Sequence, residues 1–317
     1  MSTPPQAAAS PAPAQAPAPA SPAPALPAWL RLVSRLPLPA LYVITALLSF
    51  IAHRIIRHRV TVVRDNIAGC FPQLPAAARR RIARGFHANL AQVLAETVKA
   101  ATLDPGELAR RVRFANLALA QEILQGGSPV VLVASHQCNW EWLLMGASLQ
   151  LGFPLDAAYK PLHSAAADRV MLALRSRFGG RLIPAKELLI TLIRSRGARG
   201  IALLADQVPM TSEFKWWTRF LGRPTAFYMG PEKIAQALRA AVIFASMRRT
   251  ARGCYEVQFQ LLCSPRERLQ PGVVTERYVR ALETSLLASP PDWMWSHRRW
   301  KLKPQAGAVD LEHEPSP

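Results

Sequence analysis

Cysteine is scarce in this chain: four in 317 residues, at Cys70, Cys138, Cys254 and Cys263. None forms a CxxC pair or falls at Cys/His ligand spacing, which removes the zinc-module reading. A domain of this size needs no disulfides, so a reducing compartment is the plain reading. Acidic residues are scarce too, 20 Asp and Glu against 39 Lys and Arg, for a formal charge of +19. That balance suits an anionic partner: nucleic acid, anionic lipid or an acidic protein. Half of the residues are hydrophobic, however, and mean hydropathy is slightly positive. A nucleic-acid binder of this charge would be more polar, so the combination points to a membrane surface and not to nucleic acid. Large apolar side chains are too few in residues 1–28, which are almost all Ala, Pro, Ser and Gln. Such a segment cannot offset its ordering entropy and reads as a disordered tail; residues 304–317 read alike. No internal repeat is present.

Long hydrophobic runs are also few. The one charge-free stretch of note, Leu36–Ala52, has 17 residues, at the short end of a spanning helix. Arg31 and Arg35 precede it; His53, Arg54, Arg57, His58 and Arg59 follow. A signal peptide fits poorly, because the run starts late and His53-Arg54 stands where small cleavage-site residues belong. Residues 29–59 therefore read as a membrane anchor with a basic flank, either spanning or interfacial. The excess of Arg after the run places the rest of the chain in the cytoplasm. Residues 60–303 form the main domain.

Within that domain, Asn66–Ala101 reads as helical. Ile82, Phe86, Leu90, Val93, Leu94 and Val98 recur at helical spacing, and Arg79, Arg80, Arg81 and Arg84 give a basic face, either solvated or set against anionic headgroups. Then short apolar runs alternate with helices. Pro129–Ala134, Leu155–Tyr159, Gly200–Ala205, Ala241–Ala245 and Tyr255–Leu262 read as strands; Glu141–Leu151, Asp168–Phe178, Glu187–Arg196 and Pro231–Arg239 read as helices. The fold class is α/β, a mixed, mostly parallel sheet covered by helices.

Ligands in such sheets bind beyond the carboxyl ends of the strands. Two strand ends carry polar residues here: Ser135-His136 and Asp206-Gln207. His136 and Glu141 form an H-x4-E pair, in which a carboxylate could fix the tautomer of a histidine base. The spacing works if His136 lies on the strand-to-helix turn and Glu141 on the first helical turn. Spacing alone decides nothing, because His163 and Asp168 repeat it. Only His136 ends a buried strand directly; His163 reads as a solvated loop residue. Cys138 raises a thiol nucleophile as a rival, but a small buried cysteine is the simpler reading. Near the carboxyl end Trp293, Trp295 and Trp300 interleave with His297, Arg298, Arg299 and Lys301. That mixture suits headgroup contact, stacking on single-stranded nucleic acid, or plain core burial.

The stretch Ser135-His136-Gln137-Cys138-Asn139-Trp140-Glu141 closely resembles the signature of the late acyltransferases of lipid A biosynthesis. Further elements follow in the right order: Val63-Arg64-Asp65-Asn66 through Cys70-Phe71-Pro72, Tyr159-Lys160-Pro161-Leu162, Arg175-Ser176-Arg177-Phe178-Gly179, Ala205-Asp206-Gln207, Phe220-Leu221-Gly222-Arg223-Pro224, and Trp295 to Lys301. Together they span about Leu30 to Lys303, with Lys160 where the family has Arg. The resemblance implies a glycerolipid-acyltransferase-like fold and transfer of a fatty acyl chain from acyl-acyl carrier protein to a hydroxyl of a lipid A precursor. It implies action at the cytoplasmic face of the bacterial inner membrane, without metal or bound cofactor. It maps the catalytic pair to His136 and Glu141, and it sets Arg175 and Asp206 in or beside the site. Lys160, Asn139 and Gln207 complete the candidate substrate contacts. An acyl-CoA donor, another lipid acceptor, or a non-catalytic basic binding protein stay open as alternatives.

Overall fold

The computed structural model describes residues 25–54, 59–195, 197–210 and 214–304. The Pro/Ala tail before residue 25, the flank residues Arg57 and His58, and the carboxyl tail beyond 304 lie outside the described residues. The described chain opens in helices: α1 (Ala28–Ser34), α2 (Leu38–Arg54), α3 (Val60–Cys70), α4 (Ala76–Lys99) and α5 (Pro105–Arg111). Strands and helices then alternate: β1 (Val112–Phe114), α6 (Ala118–Gln125), β2 (Val130–Ala134), α7 (Trp140–Gln150), β3 (Leu155–Tyr159), α8 (Ala165–Ser176), β4 (Arg181–Pro184), α9 (Leu188–Arg194) and β5 (Gly200–Leu204). A hairpin of β6 (Lys215–Phe220) and β7 (Arg223–Tyr228) leads to α10 (Gly230–Leu238), β8 (Ala241–Ala251), β9 (Cys254–Cys263) and α11 (Val273–Ala288).

Seven strands form one sheet in the order β1-β9-β8-β2-β5-β3-β4. Every neighbouring pair in it is parallel except β8 with β9. This is the mostly parallel, helix-covered sheet expected from the sequence. All five residues of β2 are buried, and alternate ones serve two cores. Leu132 faces Trp142, Ile243 and Val257 beneath α4 to α7; Val131 and Val133 face Ile201, Phe244 and Tyr278 beneath α10 and α11. The same alternation explains why strands covered on both faces read as continuous apolar runs.

The helix expected from Asn66 to Ala101 is two helices. Phe71 leaves helical geometry, and Pro72 has no N–H to continue the ladder; the chain restarts after Pro75, whose fixed φ suits a helix start. The β6–β7 hairpin was not foreseen. It turns through Leu221 and Gly222, both at positive φ (51° and 74°), the pattern of a tight two-residue hairpin in which a leucine takes a conformation that favours Gly or Asn.

The apolar run forms α2, entered through Pro37. Leu38, Leu41 and Tyr42 are buried, and the helix packs on α4. Val43, Leu47 and Phe50, at helical spacing on the outer side, are exposed, as are Ile44 and Leu48. Among the described residues no single helix is long and apolar enough to cross a membrane; α1 and α2 meet that test only together, bent by 111°.

Candidate active site

The register of two strands builds the site. β2 and β5 are parallel neighbours, with Ala134 opposite Leu204. Two residues beyond that pair stand His136 and Asp206. Asp206 Oδ1 lies 2.7 Å from His136 Nδ1, while Oδ2 accepts the His136 backbone N–H (3.0 Å) and the Trp293 indole N–H (2.8 Å). Asp206 is 2% exposed. Burial pushes its carboxyl pKa up, but the His136 ring and the hydrogen bonds from His136 and Trp293 outweigh that and hold it below the ordinary value. Tyr278 donates its hydroxyl to the Ala134 carbonyl (3.0 Å), fixing the strand end from the opposite face.

From His136 the chain must turn from strand into α7. Cys138 makes the turn at φ +53°, a left-handed conformation that a non-glycine residue holds only when its surroundings determine it. They do: the Cys138 N–H donates to the Asp292 carbonyl (2.9 Å), and the Met294 N–H to that of His136 (3.1 Å). Burial pushes the Cys138 thiol well above its usual range, and Sγ lies against the Met247 carbonyl (3.2 Å). Both features disfavour a thiolate nucleophile, in line with the buried-cysteine reading.

Glu141 sits in the first turn of α7, as the spacing required, yet its carboxylate does not meet His136. It is held bidentately by Arg175 of α8, Nε at 2.7 Å and Nη2 at 2.6 Å, and accepts from Trp140 Nε1 at 3.1 Å. Asp206 occupies the position at the imidazole that was expected for Glu141. The Trp140 ring packs edge-on to His136, 5.2 Å between centroids, and so joins the two pairs.

The remaining candidates divide by exposure. Gln207 is exposed, with its amide nitrogen 3.2 Å from His136 Nε2. Lys160 is exposed just beyond β3. Asn139, read as a substrate contact, is instead fully buried: Oδ1 caps α7 at the Trp142 N–H (2.9 Å), and Nδ2 donates to Glu96 (2.6 Å). Each end of its amide bonds the protein, and with no exposed surface it is out of a ligand's reach. In the decoy pair His163 is exposed, and Asp168 accepts the Leu162 N–H.

Trp293 and Trp295 are core residues, not headgroup contacts. Trp300 stacks under Arg223 (4.2 Å) and donates to Thr225. His297 accepts the Val208 N–H at Nε2 (3.2 Å) and so steadies the loop after Asp206. In the sequence Trp293 stands out only as part of an aromatic, basic cluster, His297 as part of that cluster and of the Trp295 to Lys301 element, and Glu96 not at all. A cleft of about 1040 Å³ between α11 and the β8–β9 hairpin touches the His136 loop only through Gln137.

Residues 25–302 match the bacterial lipid A biosynthesis acyltransferase family. The lipid A biosynthesis lauroyltransferase of Escherichia coli K12 is 24% identical over 281 residues, covering 86% of this chain and 89% of that protein. The palmitoleoyltransferase of the same pathway and organism is 21% identical, covering 85% and 88%. With a match over most of its length, and a histidine held by a carboxylate at the mouth of an α/β sheet, the chain belongs to the bacterial lipid A biosynthesis acyltransferase family and is an acyltransferase.

Proposed function

We propose that this acyltransferase moves a fatty acyl chain from acyl-acyl carrier protein to a hydroxyl of a lipid A precursor, with His136 as general base. The 2.7 Å contact between His136 Nδ1 and Asp206 carries the reading. With the Nδ1 proton donated to the carboxylate, Nε2 keeps its lone pair for a substrate hydroxyl. Nε2 takes the proton of the acceptor hydroxyl as the hydroxyl oxygen attacks the thioester carbonyl carbon. The tetrahedral oxyanion then collapses, the C–S bond breaks, and the imidazolium returns the proton to the departing thiolate. Asp206 stabilises the imidazolium while it exists. Gln207 lies where the hydroxyl would approach and moves aside for it.

Glu141 supports the site indirectly, by fixing Arg175. Two of the guanidinium nitrogens serve Glu141, which leaves Nη1 for an anion. Arg175 and Lys160 thus suit phosphate groups of the acceptor or of the carrier's prosthetic arm. The lipid A acceptor follows from the family and from the names of the two relatives. The acidic carrier suits a chain with a net charge of +19. The exposed apolar face of α2 suits a bent, interfacial anchor on the cytoplasmic side of the bacterial inner membrane.

Purified wild-type protein and His136→Ala, assayed with a lipid A precursor and either dodecanoyl-acyl carrier protein or dodecanoyl-CoA, test the reading. Carrier-bound donor should be preferred, and the alanine variant should lose about 10²–10⁴-fold in rate. Near-normal transfer by His136→Ala would remove the general-base role, and preference for the CoA thioester would remove the carrier as donor. Lipid mass spectrometry after gene deletion tests the acceptor: one acyl mass should disappear from lipid A.

A further inference from the structure

Glu96, in the last turns of α4, has 0% exposure and no part in the chemistry above. Three donors converge on its carboxylate. Tyr42 of α2 donates to Oε1 (2.8 Å); Asn139 Nδ2 (2.6 Å) and Tyr255 of β9 (2.6 Å) donate to Oε2. The Tyr255 hydroxyl in turn accepts from Arg249 Nη1 (2.8 Å), so its own proton is directed at Glu96. The Glu96 backbone carbonyl accepts the Trp142 indole N–H (3.0 Å). A carboxylate this deeply buried is tolerated only when its acceptor sites are filled. Here the groups that fill them come from the anchor helix, the sheet and the His136 loop.

The Asn139 contact is the consequential one. Asn139 follows the strained Cys138 and begins α7. Its amide cannot flip, because Oδ1 is needed by the Trp142 N–H, so Nδ2 must point at an acceptor, and Glu96 is that acceptor. Arg249 also bonds Asp292, whose carbonyl holds the Cys138 N–H. The rear of the loop that carries His136 is therefore set from the Glu96 side, as its front is set by Asp206.

We propose that Glu96 is a positioning residue for acyl transfer: it holds Asn139, and through it the His136 loop, in register with Asp206, and its bond to Tyr42 ties that register to the docking of α2. The proposal rests on His136 being the base.

The test uses the full-length protein in detergent, with dodecanoyl-acyl carrier protein and a lipid A precursor. Asn139→Asp retains the cap on Trp142 but turns an acceptor on the Glu96 carboxylate, acceptor to acceptor. It should lower kcat at least about tenfold, leave KM within about threefold, and keep the melting temperature close to wild type. Glu96→Gln is nearly isosteric; its amide oxygen can still accept from Asn139 and Tyr255 with the nitrogen turned to the Tyr42 hydroxyl, so alone it should lower kcat no more than about threefold. Combined with Asn139→Asp, its amide can instead donate to the new carboxylate, and most of the lost kcat should return. Tyr42→Phe, which removes one donor from the other oxygen and keeps the ring, should fold normally and lower kcat about threefold. His136→Ala separates the two readings. If it is inactive while Asn139→Asp keeps wild-type kcat, or while the losses of Glu96→Gln and Asn139→Asp simply multiply in the double variant, the positioning role is wrong and the base assignment stands. If His136→Ala is active, the reading beneath both is wrong.

Discussion

His136 and Asp206 stand 70 residues apart in the chain, yet the register of β2 with β5 brings imidazole Nδ1 within 2.7 Å of the carboxylate. Each is the second residue past the last paired position of its strand. The relationship is therefore a property of the sheet and is as rigid as the ladder behind it.

Replacing Asp206 by Asn should leave that ladder intact, because an amide oxygen can still accept from Trp293 and the His136 backbone. The amide nitrogen would then oppose Nδ1 and favour the tautomer with the proton on Nε2, where no hydroxyl can be deprotonated. A loss of about 10³–10⁴-fold in kcat is expected, by analogy with other histidine–aspartate pairs. Steady-state kinetics beside a circular-dichroism melt would check it. A variant that melts early would mean that Asp206 acts chiefly as a structural cap.

Glu141 and Arg175 should behave as a separate unit. Removing only the guanidinium, as Arg175→Met, strands a buried carboxylate and should cost about 3–5 kcal/mol of stability. Arg175→Met with Glu141→Gln removes both charges and should regain most of that in a denaturant titration. Activity should not return with stability, since Arg175 is assigned to substrate phosphate. Full activity in the double variant would leave Arg175 with a structural role alone.

Much of this was legible in the sequence, and the failures have physical causes. β2 and β5 were visible because a strand covered on both faces is a continuous apolar run, and His136 and Asp206 were noticed because each run ends in a polar residue. Their pairing was not visible, since strand order is non-local and β2 and β5 are separated by two other strands in the chain. Nearness in sequence favoured Glu141 instead. In the first turn of α7 its side chain meets α8, where Arg175 waits. Trp293 and Trp295 stayed open between surface contact and core burial, because their neighbours are basic; the chain folds both into the core. Glu96 gave no signal, because one acid on a helix says nothing of the three donors that three other elements bring to it.

Two histidines should make the fold acid-sensitive. Burial lowers the His297 pKa to about 4, with Arg299 adding to the effect and Asp206 opposing it; burial also lowers His87 to about 4, with His53 adding. Both folded values lie below the ordinary histidine value, so the unfolded chain takes up protons first as pH falls. The stability that these groups contribute is present above about pH 6.5 and is lost as pH falls from there through about 4. The unfolding midpoint should drop steadily between about pH 7 and about pH 4.5, and His297→Gln should flatten the curve. Asp206 works in the same direction but lower, because its folded pKa lies below the ordinary carboxylate value and its contribution is lost only as pH falls past that value. A midpoint that is flat down to about pH 5 would contradict the histidine part.

Membrane attachment should separate into two terms of different salt dependence. Val43, Leu47 and Phe50 align on the outer face of α2, and Leu47 is 60% exposed although the helix is packed on α4. Burying such side chains in the acyl boundary contributes on the order of 1 kcal/mol each, and salt does not weaken it. Arg80, Arg81 and Arg84 are exposed on the neighbouring α4, and among the described residues none takes part in an ion pair. Their attraction to anionic headgroups is screened within about 10 Å at 0.1 M salt. Flotation with vesicles of mixed neutral and anionic lipid should therefore show binding that high salt reduces but does not abolish. Leu47→Ser with Phe50→Ser should remove the salt-resistant part and leave the salt-sensitive part. Arg80, Arg81 and Arg84 changed together to Gln should do the reverse. If the serine variant floats as well as wild type at high salt, α2 is not the membrane contact, and its apolar face must be covered by protein instead.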